Sequence, residues 1–262
     1  MKSAGMHLKT LRDTAPLVQN ITNFVAMNVV ANAQLAVGAS PAMVHAIEEA
    51  AEFAGIAGGL TVNIGTADAG WEASMVAAAQ AASAAGKPWV LDPVAVGATG
   101  FRNRLAARLL ALNPTVLRGN ASEILALSGE VASGKGVDAG DPVAAAEDAA
   151  RYLAQRTGGV VAVSGAVDFV TNGDRAMRIA GGSPLMGRVT AMGCALTGVV
   201  GAFLVGQDPF AATVAAHACF GRAGEIAADR ADGPGSFGPA LMDALSEMTP
   251  EQLDAEARIE AV

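Results

Sequence analysis

The stretch 58-GGLTVNIGTADAGWEASMVAAAQAASAAGKPWVLDPV-94 carries the pattern that decides the fold. It opens on a Gly58-Gly59 turn signal and enters an apolar run at 60–64. An Ala-rich helical segment follows at 67–85. After Gly86-Lys87-Pro88 a second apolar run begins at 89–91, with Val94 beyond it. Neither run alternates with polar residues, which fits strands buried on both faces of a parallel sheet. Two more apolar runs, 115–117 and 160–163, follow the turn signals Asn113-Pro114 and Gly158-Gly159, and helical segments at 101–112 and 142–155 alternate with them. Strand and helix repeated in this way predict an α/β fold, with a mostly parallel central sheet covered by helices on both faces.

Working outward, 167–171 and 176–179 flank Thr171-Asn172-Gly173-Asp174, and the Asn-Gly pair predicts a small antiparallel hairpin. From Thr190 the chain turns to long helices. Asp208-Pro209 reads as an N-cap with a first-turn proline, opening a helix that runs to about Asp229. The charged residues 249–262 are expected to fray. Neither an internal repeat nor a linker is visible, so residues 1–262 are expected to form a single domain.

Hydrophobic residues make up 52% of the chain and charged ones 16%, the opposite of a disordered composition. The net charge of −8 disfavours nucleic acid as a partner, although a local nest of N–H groups can still hold a nucleotide's phosphates. Two cysteines form no disulfide framework and three scattered histidines show no metal-ligand spacing; a reducing cytoplasm is the expected location. No apolar run reaches spanning length, so no membrane association is expected.

Five segments hold candidate chemistry. In 190-TAMGCALTG-198 small residues begin a helix, whose first-turn N–H groups and positive dipole end suit a phosphoryl group. Gly193 permits close backbone approach, and the dipole is expected to lower the thiol pKa of Cys194. Read alone, the segment is also a greasy helix with Cys194 packed as a small hydrophobe, and the residue types favour that plainer reading. Asp92 ends a buried strand, where open α/β sheets bind ligands; it either helps hold magnesium through water or caps the Pro93 turn. In 118-RGNASE-123, Arg118 offers a bidentate fork to phosphate, while Glu123 is either a magnesium-associated acid or half of a capping box with Asn120. Ser164-Gly165, with Asp168, either approaches a phosphate or makes an ordinary turn. In 19-QNITN-23 the amides suit a small heterocycle, or turn and N-cap chemistry; Met43 offers adaptable apolar contact or simple core packing. The dinucleotide fingerprint, the Walker loop, the GxSxG elbow and the HExxH helix are all missing, which leaves the helix start at Cys194 as the anion site of a non-Walker phosphotransferase.

Together, PLVQNITNFVAMN (16–28), ASPAMV (39–44), NIGT (63–66), LDPVAVGAT (91–99), VLRGNASEI (116–124), VAVSGAVD (161–168) and GCALTGVVGAF (193–203) resemble the hydroxyethylthiazole kinase family over nearly the whole chain. The early QNITN and ASPAMV separate it from the related hydroxymethylpyrimidine kinases. The resemblance implies a ribokinase-like three-layer sandwich and phosphorylation of a thiazole alcohol with ATP and Mg²⁺. It also implies a homotrimer with active sites at subunit boundaries. Residue by residue, it implies that Cys194 occupies the catalytic position and that Met43, Asn23 and Ala191 contact the thiazole. Arg118, Ser164 and Gly193 would bind ATP, and Asp92 and Glu123 would be the magnesium-associated acids. The chain departs from the family pattern at Ala191-Met192, where Gly-Thr is usual. An alanine there is strained by about 1–2 kcal/mol if φ is positive. Two alternatives stay open: a pyrimidine-type kinase of the same fold, and a catalytically idle nucleotide-binding protein, to which the Ala191-Met192 departure gives weight.

Overall fold

The computed structural model describes residues 2–129 and 142–262. Six strands run parallel, in the spatial order β2 (Ser40–Ala42), β1 (Leu17–Ile21), β3 (Gly59–Asn63), β4 (Trp89–Asp92), β5 (Val116–Asn120) and β6 (Val160–Ser164). β7 (Val167–Thr171), β8 (Ala176–Ala180) and β9 (Arg258–Ala261) extend the same sheet antiparallel. The hairpin therefore lies where Asn172-Gly173 predicts it, with Gly173 at φ 94°.

Helices cover both faces. The helices on one side are α3 (Ala50–Ile56), α4 (Ala69–Ala84), α5 (Gly100–Leu110), α6 (Ala121–Ser128) and α7 (Pro142–Thr157). They bury Met75, Ala78, Leu105, Leu109, Ile124 and Leu153 against Val62, Leu91 and Val161 of the strands. The other side carries α1 (Ala4–Thr14), α2 (Met27–Val37), α8 (Met192–Leu204), α9 (Pro209–Arg230), α10 (Pro234–Glu247) and α11 (Pro250–Glu256). Their core contains Phe203, Phe220, Phe237 and Leu241, packed on Val18, Val90 and Ala162. Alternate residues of each strand thus feed opposite cores, which is why the strands read as continuous apolar runs. This is the three-layer α/β/α arrangement that the sequence predicts.

Asp208 caps α9 through a 2.9 Å bond from the Ala211 amide, with Pro209 in the first turn, as expected. One expectation needs correction. Residues 249–262 are ordered: Thr249 caps α11, Asp254 accepts from the Gly5 amide at 2.6 Å, and β9 pairs with β8. In the QNITN segment the turn chemistry expected of Asn23 is present, its Oδ1 accepting the Ala26 amide at 3.0 Å, while Gln19, Asn20 and Ile21 belong to β1. Gln19 and Asn20 are buried in β1, and both side-chain amide nitrogens find partners across the layers. Gln19 donates to the Val44 and Ala50 carbonyls, while Asn20 and Gln34 exchange amide hydrogen bonds. Gln34 also donates to the Gly198 carbonyl at 2.7 Å, so this buried network seats α8 on the sheet.

Candidate active site

Six parallel strands end at the same edge of the sheet. That edge brings together Asn23 after β1, Met43 after β2, Asn63 at the end of β3, Asp92 at the end of β4, Arg118 in β5 and Ser164 at the end of β6. The start of α8 comes down on this edge. Ala191 is its N-cap, with φ 65° and ψ 9° and no side-chain cap. Ala195 is the first amide to close a helical turn, onto the Ala191 carbonyl at 2.8 Å, so the amides of Met192, Gly193 and Cys194 make up the open first turn.

Cys194 Sγ is met by two amide groups: Asn23 Nδ2 at 3.3 Å and Asn63 Nδ2 at 3.2 Å. Asn63 Nδ2 also donates to Asp92 Oδ2 at 2.7 Å, and Asn63 Oδ1 accepts from Asn23 and from the Gly65 amide. One turn further along α8, Thr197 Oγ1 donates to Asp92 Oδ2 at 2.7 Å. Arg118 sends Nε and Nη2 to Ser164 Oγ, at 2.9 and 2.6 Å, and its Nη1 stands 3.9 Å from Asp92. A Cβ on residue 193 would lie 2.9 Å from Arg118 Nη1, so glycine there lets the guanidinium lie against the helix start. A cleft of about 530 Å³ opens beside these groups, lined by Arg118, Ser164, Gly165, Met192 and Gly193 and closed by residues 181–187 and the His217–Gly221 stretch of α9. Gly181 and Gly221 approach there backbone to backbone.

The electrostatics correct one expectation. Burial raises the Cys194 thiol pKa, and the neighbouring Asp92 carboxylate raises it further; the two asparagine amides and Arg118 oppose this without prevailing. Asp92 is itself pushed up to about 6, chiefly by burial, against the pull of Arg118 and with a push from Glu123. Desolvation and a like charge thus favour the thiol, where the helix start was expected to favour thiolate.

Glu123 closes a full capping box with Asn120. Its Oε2 accepts the Asn120 amide at 2.8 Å, and its Oε1 reaches the Ala95 amide at 2.9 Å. Each oxygen retains a lone pair, since a carboxylate offers about four acceptor sites. Among the described residues no group of three or more His, Cys, Asp or Glu side chains is disposed to hold a metal. Asp92 and Glu123 each leave carboxylate lone pairs that could face the water shell of a divalent cation.

The residues 8–251 match the model of the hydroxyethylthiazole kinase family. A hydroxyethylthiazole kinase from Cereibacter sphaeroides is 64% identical over the whole of both chains, and one from Rhizobium johnstonii is 61% identical over 98% of this chain and 97% of its own. The chain belongs to the hydroxyethylthiazole kinase family. A solved structure of the hydroxyethylthiazole kinase protein from Pyrococcus horikoshii OT3 is 42% identical and superposes with a TM-score of 0.92, covering 99% of this chain and 98% of that one. Pyridoxal kinase from Staphylococcus aureus, solved with AMP-PCP and pyridoxal, shares the fold at 16% identity and a TM-score of 0.67 over 94% of this chain and 98% of its own.

In this hydroxyethylthiazole kinase family member the sequence-predicted residues fall at one edge of the sheet. Met43 lies furthest out, half-buried just beyond β2. Asn63 is the residue that sequence reasoning did not single out, although the NIGT motif contains it. Its signal was position: like Asp92, it is a polar residue at the last place of a buried strand.

Proposed function

We propose that the chain transfers the γ-phosphoryl group of ATP to the primary hydroxyl of 4-methyl-5-(2-hydroxyethyl)thiazole, giving the thiazole phosphate used in thiamine biosynthesis and salvage. The observation that carries this reading is the juxtaposition of the open α8 start, Cys194 held by Asn23 and Asn63, and the Arg118–Ser164 pair at the mouth of the cleft. Ser164 and Arg118 hold the phosphates from the β5–β6 side. The first-turn amides at Met192–Cys194 face the charge that develops on the transferring oxygens, which is most of what phosphoryl transfer asks of a protein.

Asn23, Met43 and Ala191 flank the alcohol. Cys194 is a thiol with two amide N–H groups on its sulfur, so its part is to orient the hydroxyl; base strength is not what it brings. Mg²⁺, when bound, supplies charge neutralisation between phosphates, and Asp92 and Glu123 are the carboxylates that would hold its water shell.

We extend the proposal to a homotrimer. Phe24 is 65% exposed, and Val25 and Ile47 are also exposed, in the segments that flank Asn23 and Met43. Phe24 and His45 both pack on Trp71, building an apolar surface beside the thiazole positions that suits a neighbouring subunit.

ADP release with purified protein, run beside calorimetric titration of ATP, tests the reading. The thiazole alcohol should stimulate release, with a kcat/KM at least about tenfold above that for hydroxymethylpyrimidine. Preference for the pyrimidine would assign the sister activity. ATP binding without alcohol-stimulated release would make the chain a nucleotide-binding protein without catalysis.

A further inference from the structure

His217 sits in the middle of α9 among Val214, Ala215, Ala216, Ala218 and Phe220, and its side chain is completely buried. An imidazole in such surroundings is costly unless it is hydrogen-bonded. Its Nδ1 lies 2.7 Å from Asp168 Oδ2. A carboxylate only accepts, so the proton of that bond sits on Nδ1. The other oxygen, Asp168 Oδ1, accepts the Gly165 amide at 2.8 Å. One carboxylate thus ties α9 to the turn between β6 and β7.

That turn follows Ser164, which takes both hydrogen bonds from Arg118. On its other side it is pressed by α7: a Cβ on residue 165 would come within 2.2 Å of Val143 Cγ2. His217, Asp168, Gly165, Ser164 and Arg118 all line the same cleft. We propose that His217 and Asp168 are a positioning pair, which clamps the β6–β7 turn so that Ser164 holds the Arg118 guanidinium in its phosphate-binding place. The proposal rests on the reading of Arg118 and Ser164 as nucleotide-binding groups.

A purely structural role accounts poorly for the pair. The Asp168 side chain is 18% exposed and reaches water without help, whereas the imidazole is buried and, among the described residues, has no partner at Nε2. Replacing a buried polar pair by apolar groups of similar size is often neutral or favourable to stability. What the pair supplies is the direction of a hydrogen bond, and that direction fixes a turn at the edge of a ligand cleft.

Steady-state kinetics of the full chain test this, with KM for ATP and KM for the thiazole alcohol measured separately beside thermal melting. His217→Leu should raise KM for ATP about tenfold and leave that for the alcohol unchanged. His217→Asn places an amide N–H near the Nδ1 position and should bring KM for ATP back to within about threefold of the original. Asp168→Ala should match His217→Leu, and the double variant should be no worse than either single one, because both changes cut the same chain. If His217→Leu fails to fold, Asp168→Ala against the parent carries the test.

Variants that melt earlier with an unaltered KM for ATP would make the pair merely structural and overturn the proposal; so would a folded His217→Asn that rescues nothing. Arg118→Ala is the control: if it too leaves KM for ATP unchanged, the nucleotide reading itself falls. If it raises that KM while the Asp168 and His217 variants do not, only the positioning pair is lost.

Discussion

Asp92 shows how a single side chain can be held against its own chemistry. It is 1% exposed, touches Asn63 and Thr197, and has its pKa pushed up to about 6. Because the folded state binds the proton more tightly than the unfolded chain does, this group weakens the fold as pH rises from about 4 to about 6. The penalty is complete above that window and absent below it. Asp92→Asn removes the titration. Its stability relative to the parent should therefore grow between pH 4 and 6.5, by an amount on the order of 2–3 kcal/mol. Urea unfolding across that range measures it, and a pH-independent difference would contradict the assignment. Such a cost at one residue is what a site kept for ligand binding looks like, since binding a cationic partner is what would relieve it. Cys194 belongs to the same balance: the carboxylate beside it helps to keep its sulfur protonated.

At the scale of the element, α8 begins at a backbone position that suits glycine. Ala191 lies at φ 65°, and the strain anticipated for an alanine in that conformation is present. Ala191→Gly relieves about 1–2 kcal/mol of that strain and returns somewhat less through the greater freedom of the unfolded chain. The expected net gain is about 0.5–1 kcal/mol, or a melting temperature higher by about 1–4 °C. Differential scanning calorimetry reads it, and a lower melting temperature would show that alanine is at ease there.

Much of the element plan was legible before coordinates. Helix-covered strands carry apolar runs without polar alternation, and the runs that open β3, β4, β5 and β6 obey that rule before each strand ends in polar residues at the site. β1 broke it with Gln19 and Asn20, whose partners Val44, Ala50, Gln34 and Thr61 lie elsewhere in the sequence, so these amides read as candidates for a heterocycle. β9 was hidden differently: four residues with charges on an edge give too short a pattern, and only pairing with β8 reveals a strand. In the site, strand-end Asp92 and helix-start Cys194 stood out by residue type. Asn63 did not, because an amide becomes informative only once its two neighbours, a sulfur and a carboxylate, have been brought within reach. The thiol's protonation went the other way from expectation because burial cannot be read from a helix start.

For the whole molecule, the exposed Phe24, Val25 and Ile47 give the trimer proposal a testable form. Light scattering coupled to size exclusion should return three times the mass of one chain. Val25→Lys, at a side chain 59% exposed in this chain, should shift the protein to smaller species while leaving its helical content intact, and should raise KM for the thiazole alcohol more than KM for ATP. A parent protein that elutes as a single chain and turns over normally would end the trimer reading.

The shared direction of the six parallel strands has a practical corollary. Gly86, Gly158 and Gly206 all lie at the opposite rim, beside the starts of strands and the tail of α8, with positive φ and open space around them. A fusion partner, an affinity handle or a linker to a solid support inserted at any of the three would hang from the back of the enzyme. The mouth through which alcohol and nucleotide enter would then face the bulk liquid.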